Sequence, residues 1–355
     1  MLSNRRKSKG SSLTTSTRSG VGSLLARFIS GILAFGFNLF EPVFRLGQKW
    51  LGISRLGWLF VGPNLIVFGL FTFLPILINV LYAGSGGVNL MPSDRPFTGV
   101  ENFSILFECR NYLDIETCRK DIFWRAIFNT VEFSVIQVGL MVFFSLVTAL
   151  VLNRKIIGRG FWRGVFFYPV LLSPVVVALI WKWLLQSQGV FNAGLVAAGA
   201  EPINWLSNNH WAFFWSVFVS IWAHMGFYTL ILLAGLQAIP KDMYEAAEMD
   251  AASPWRTLRR ITLPLLMPNL IVVLVLAMIH AVQIFDEVFV LTGGGPGSAT
   301  TFIVQFIYQT GFAEQIHLYG LAAAASLVLA LGLMALTGVQ LKLTKASEAG
   351  KKPAR

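Results

Sequence analysis

Apolar residues in this chain gather in six long blocks, approximately Trp58 to Tyr82, Ala126 to Leu152, Val165 to Leu185, Ala212 to Leu236, Leu270 to Leu291 and Tyr319 to Leu341. Each block reaches the ~20 residues that an α-helix needs to cross a bilayer. A backbone inside hydrocarbon must satisfy its own hydrogen bonds, so blocks of this length predict helices. A shorter apolar run, Phe28 to Phe40, falls short of a crossing, and Asn38-Leu39-Phe40-Glu41-Pro42 after it offers no small-residue cleavage site. Arg27, Ser30, Gly31, Asn38, Glu41 and Arg45 form a rough polar stripe through it. That pattern predicts an amphipathic helix lying on the membrane surface. The expected fold class is therefore all-α and polytopic, with six transmembrane helices and an N-terminal interfacial helix.

The expected organisation has a disordered basic tail at 1–21, the interfacial helix and a linker at 22–56, a membrane domain at 57–343 and a second tail at 344–355. Composition agrees: 55% of residues are hydrophobic and 13% charged, against about a quarter charged in soluble domains. The net charge of +11 does not mark a nucleic-acid binder, because the basic residues sit at the ends of the apolar blocks. Nine Lys and Arg precede Gly57, four lie in Asn153 to Arg163, four in Ala238 to Pro264, and five follow from Lys342. The segment Ala83 to Arg125 carries five, while Gln186 to His210 and Thr292 to Leu318 carry none. The positive-inside bias then places both termini and the Ala238 to Pro268 segment in the cytoplasm.

That segment, AIPKDMYEAAEMDAASPWRTLRRITLPLLMP, is an unusually polar stretch between two long apolar runs. Asp242 precedes Glu245 by three residues, a capping-box spacing that predicts a helix from Met243 to about Met249. Ser253-Pro254 predicts a second start, with proline at the first helical position. Arg256, Arg259 and Arg260 then share a face, and Pro264 and Pro268 are expected to close the segment.

Glu245-Ala246-Ala247, Asp250, Ala252 and Ile261-x-Leu263-Pro264 resemble the cytoplasmic "EAA" loop of binding-protein-dependent ABC importer permeases. The resemblance implies the type I importer permease fold. It also implies a loop, with Asp242, Tyr244, Glu245, Ala246, Ala247, Asp250 and Ala251 as its coupling residues, that docks on a separate ATPase subunit. Ala251 stands where family members usually have Gly, and often Phe stands where this chain has Leu258. A Cβ resists left-handed backbone by about 1–2 kcal/mol, so a negative φ is expected at Ala251.

Phe285-Asp286 through Leu291-Thr292-Gly293-Gly294-Gly295-Pro296 is similar to the F-D-x-x-x-x-L-T-G-G-G-P of the carbohydrate branch, which includes maltose and glycerol 3-phosphate permeases. Pro63, Pro75, Phe97-Thr-Gly-Val-Glu-Asn-Phe103 and Tyr168-Pro169 before Pro174 add to that likeness. Read on its own, Thr292 to Ser298 is a sharp outer turn, because no Lys-Ser/Thr follows it to make a P-loop. The resemblance implies as partners a second homologous permease, two ATPase subunits and an external, periplasmic binding protein, in a bacterial inner membrane. ATP and Mg are expected on the ATPases, with no cofactor, metal or nucleic acid on this chain.

No catalytic constellation stands out, and the sequence holds no Walker A motif, so the chain is not expected to be an enzyme. Cys109 and Cys118 share the first outer segment, where a disulfide and free thiols are both open. Polar groups inside spans are functional candidates because hydrocarbon penalises them. Counted along a continuous fifth helix, His280, Gln283 and Glu287 share one face with Asp286 adjacent. In the fourth, His224 and Tyr228 share a face beside Trp222. These residues are expected to line one substrate pathway, with Trp222 and Tyr228 as its aromatic walls. Asn129 and Glu132 mark the outer end of the second span. The competing reading is a self-sufficient secondary transporter or channel, a class that often shows internal repeats and mid-membrane carboxylates.

Overall fold

The computed structural model describes residues 57–112 and 114–349. The basic tail and interfacial helix expected over 1–56 lie outside the described residues. Among the described residues, six helical segments are long and apolar enough to cross a membrane: Val61–Ala83, Asp121–Asn153, Pro174–Ala197, Asn209–Ala238, Pro254–Val282 and Tyr319–Lys342. They fall on the six blocks. The last helix continues to Ala349, past its expected end at Leu341.

The described residues fall into two units, one ending at Ile76 and one beginning at Leu77. In the first, the helix Gly57–Phe68 passes into a π-helical turn, Gly69–Phe73. Its apolar side chains are mostly exposed, Phe71 among them, as suits a surface in contact with lipid.

The second unit is built on the second, fourth and fifth spans. Phe133 and Met141 of the second, Leu232 of the fourth, and Leu266, Val273 and Ala277 of the fifth share one buried core. At 33 residues the second span is about 50 Å long, so its ends stand clear of a ~30 Å hydrocarbon layer. Close packing is set by small residues. A Cβ on Gly226 of the fourth span would lie 2.3 Å from the Phe166 carbonyl oxygen.

Two spans depart from the expectation of continuous helices. The third block is divided into Arg159–Phe167, a 3-10 turn Tyr168–Leu171 and Pro174–Leu185. Pro169 and Pro174 lack backbone donors, and each disfavours helix in the residue before it. The fifth helix starts earlier than expected and runs through Pro264 and Pro268, which do not close it. A π-helical turn, Leu258–Thr262, lies immediately before Leu263-Pro264. Such a turn re-registers the ladder where proline removes a hydrogen bond.

The segments between the spans are pinned by local contacts. Cys109 and Cys118 are joined in a disulfide. Arg95 donates from Nε to Ser85 Oγ at 2.7 Å and from a terminal nitrogen to the Asn89 carbonyl at 2.6 Å. Asn102 donates to the Ala83 and Ser85 carbonyls. The glycine-rich turn is held by threonines: Thr300 donates to the Gly295 carbonyl and Thr301 to that of Gly294. Gly294 has φ +94°, and a Cβ there would meet Gln305 Nε2 at 2.4 Å.

Candidate functional site

Two groups of candidate residues emerge, one on the polar loop and one among the spans. The loop begins with a helix at Lys241–Met249. It starts earlier than the capping-box spacing suggests, after Pro240. Asp242 therefore lies inside the first turn, and no side chain caps the helix. Neither Asp242 nor Glu245 makes the expected box. Their negative charges still favour the positive end of the helix dipole. Tyr244 is half-buried against the core and its hydroxyl lies 3.3 Å from Thr262 Oγ1. Ala247 is buried, while Asp242, Glu245, Ala246 and Asp250 are exposed. The loop helix thus rests on the core through Tyr244, with Ala247 buried beside it, and presents its acidic groups outward.

The turn that follows contradicts the negative φ expected at Ala251. Its φ is +50°. The Ala252 N–H donates to the Ala247 carbonyl at 2.9 Å and the Ala251 N–H to that of Glu248 at 3.0 Å. This pair of bonds is the Schellman motif, which requires left-handed backbone at the residue after the cap. Two satisfied carbonyls, together with the Tyr244–Thr262 contact across the turn, outweigh the Cβ penalty of about 1–2 kcal/mol. Ala251→Gly should therefore stabilise the turn by about 1 kcal/mol. Amide exchange of Ala251 and Ala252 is expected to slow about fivefold. Unchanged or faster exchange would show that the strain is not there. The second helix does start as expected: Ser253 Oγ accepts from the Arg256 N–H at 3.4 Å, with Pro254 in the first turn.

The second group forms around a break that sequence counting missed. The fifth helix ends at Val282, and a short helix restarts at Asp286–Leu291. Gln283 caps the first piece, and Phe285, at φ −148° and ψ −62°, turns the chain. Glu287 therefore does not share a helical face with His280 and Gln283. Gln283 is exposed on an open cleft with Ile279, Leu333, Met334, Thr337, Gly338 and Leu341. His280 is not among the residues that line that cleft.

Glu287 instead turns inward. Its side chain is 4% exposed, and its Oε1 lies 3.5 Å from His224 Nε2 and 4.0 Å from His280 Nε2. The two imidazole rings are 4.2 Å apart between centroids. Asp286 is exposed. Tyr228 is buried in the main core, and Trp222 packs on Trp181 and borders a separate cleft with Phe161, Tyr168 and Pro169. The expected aromatic walls are thus divided between core and cleft. The acidic pair Asp286-Glu287 in a first helical turn was the available signal for the restart, although no Gly or Pro marks the break.

The remaining polar residues of the spans are structural. Asn129 donates to the Ser298 and Thr301 carbonyls and ties the second span to the glycine-rich turn. Glu132 is exposed. Lys182 donates to the Val290 carbonyl at 2.9 Å. Gln137 and Gln305, not singled out from sequence, are completely or almost completely buried. Gln137 lies at the limit of a hydrogen bond to Ser220 Oγ, 3.5 Å.

Comparisons with known proteins agree with this architecture. The family model described as "Binding-protein-dependent transport system inner membrane component" matches residues 141–346. The trehalose/maltose transport system permease protein MalF of Thermococcus litoralis is 39% identical over 291 residues, covering 82% of this chain and 94% of the relative. The lactose transport system permease protein LacF of Rhizobium radiobacter is 31% identical over 289 residues, covering 80% and 92%. A crystal structure of a bacterial ABC transporter involved in import of the acidic polysaccharide alginate has a chain that superposes with TM-score 0.69 at 25% identity, over 84% of this chain and 99% of that one. A second alginate transporter structure, in complex with a periplasmic protein bound to alginate pentasaccharide, shares the fold at TM-score 0.67 and 24% identity, over 82% and 96%. With the matched model covering more than half the chain and a relative at 39% identity, this protein belongs to the binding-protein-dependent transport system inner membrane components, the permeases of ABC importers.

Proposed function

We propose that this chain is one permease subunit of an ATP-driven importer for a neutral sugar. It works with a second permease, two ATPase subunits and an external binding protein. The observation that carries the coupling role is the loop helix Lys241–Met249: it is anchored inward through Tyr244, with Ala247 buried, while Glu245 and Asp250 face outward. A rigid helix held on the spans and exposed on its other side can transmit ATPase closure to them as alternating access. The charge census supports placing this loop, and both termini, on the cytoplasmic side.

The names of the relatives, trehalose/maltose and lactose permeases, support the carbohydrate class. An anionic substrate calls for a cation facing the pathway, and Lys182 is already bonded to the Val290 carbonyl.

The test is purification of the native complex from membranes. An ATPase and a second permease are expected to come down with the chain. Reconstituted vesicles should then accumulate sugar only with ATP inside and sugar-loaded binding protein outside. Uptake by this chain alone, without an ATPase, would overturn the reading. The ligand retained on the binding protein in native mass spectrometry identifies the sugar.

A further inference from the structure

We propose that His224, His280 and Glu287 form a binding site for a divalent transition-metal cation of the zinc class. Their ligand atoms lie within 4.8 Å of one another. In a tetrahedral site with bonds of about 2.0–2.2 Å, ligand atoms stand roughly 3.3–3.5 Å apart. His224 Nε2 and Glu287 Oε1, at 3.5 Å, are already at that separation, and His280 Nε2 at 4.0 Å needs a small rotation.

The hydrogen-bond pattern shows why a cation belongs there. His224 Nδ1 lies 3.0 Å from the Ser220 carbonyl oxygen. A carbonyl only accepts, so Nδ1 carries the proton, and the neutral ring has its lone pair on Nε2. That lone pair faces Glu287 Oε1, itself an acceptor. Glu287 Oε1 and His280 Nε2 are both buried with no hydrogen-bond partner. The His224 lone pair and a carboxylate oxygen thus face each other with no donor between them, and His280 Nε2 stands unpartnered beside them, a costly arrangement inside a protein.

A single proton would join one pair and leave the third atom without a partner. A divalent cation satisfies all three and reverses the local charge from −1 to +1. Two imidazoles and one carboxylate suit zinc, cobalt or copper rather than magnesium or calcium. The Ser220 carbonyl bond on the far side of His224 is the outer support that metal-binding histidines characteristically have. Both histidines remain partly exposed, at 21% and 32% of their side chains. Water or a substrate hydroxyl can therefore take the remaining position.

The experiment uses the full chain in lipid nanodiscs, purified through a histidine-free tag, stripped with chelator and kept free of sugar. Titration with Co2+ should give one equivalent of visible d–d absorption that Zn2+ displaces. X-ray absorption of the zinc form should count two imidazole ligands. Glu287→Gln and His280→Gln should each weaken Zn2+ binding by about tenfold or more. His317→Ala, at a half-buried residue outside this cluster, should change nothing. No binding at micromolar metal, fewer than two imidazoles, or full affinity in Glu287→Gln would each overturn the site. The ligand count is read on the unmodified chain, so the inference is decided even where a variant fails to fold. With no sugar or ATPase in the assay, its failure leaves the importer reading untouched.

Discussion

Glu245→Lys in the assembled transporter is expected to abolish most sugar uptake while ATP hydrolysis continues. Glu245 is exposed on a helix that Tyr244 holds against the core and in which Ala247 is buried. No ion pair with Glu245 forms among the described residues. Reversing its charge therefore removes no contact within this chain, and such surface changes alter folding by about ±0.5 kcal/mol. At a docked ATPase the same change sets a lysine against the basic group that a carboxylate would meet. Disrupting a close charge pair at an interface costs about 2–5 kcal/mol, or roughly 30-fold or more in the docked population. Uptake and phosphate release measured together in reconstituted vesicles separate the effects. Normal uptake in the variant sinks the coupling role. Loss of insertion or assembly would show a structural part for Glu245.

The second large effect is expected from the glycine on which two spans close. Gly226→Leu should prevent accumulation of folded permease, and Gly226→Ala should lower its melting temperature by several degrees. A Cβ at Gly226 would stand 2.3 Å from the Phe166 carbonyl oxygen and 2.9 Å from Phe167 Cα. These are backbone atoms and cannot swing aside as the tip of a side chain can. Between membrane helices, small residues permit the close approach on which packing depends. Overpacking by one methyl group costs about 1–3 kcal/mol, and the rest of a leucine requires the fourth span to separate from the Arg159–Phe167 helix. Gly139→Ala is the control. It is also a helical glycine, but a Cβ there meets nothing within 4 Å. Its gain in helix propensity, up to about 1 kcal/mol, should leave melting unchanged or raise it. Fluorescence-detected size exclusion after heating reads all three variants. Equal melting of Gly226→Ala and the unmodified chain would refute the packing argument.

The sequence alone located the six spans, the exposed polar loop between the fourth and fifth, and the Ser253-Pro254 helix start. Each follows from a constraint acting along the chain. Hydrocarbon demands about 20 apolar residues in succession, and a serine oxygen three residues before an open N–H caps a helix whatever surrounds it. Residues 254–268 show where such constraints end. Pro264 and Pro268 read as stops, yet the helix continues through them beside the π turn Leu258–Thr262.

Tertiary structure decided three further matters. Ala251 is left-handed because the helix end on one side and Thr262 on the other fix the turn, and together they outweigh a local preference of about 1–2 kcal/mol. The chain breaks between Gln283 and Asp286, which takes Glu287 out of phase with His280 and turns it toward His224. Helical counting cannot foresee that meeting, since a break between two positions erases their phase relation. Which buried polar atoms find partners was also settled only by packing. The Asn129 amide finds two carbonyls of the outer turn, whereas Glu287 Oε1 and His280 Nε2 find none. A sequence names the polar groups inside a span, but whether each is paired depends on which other span comes within 3 to 4 Å of it.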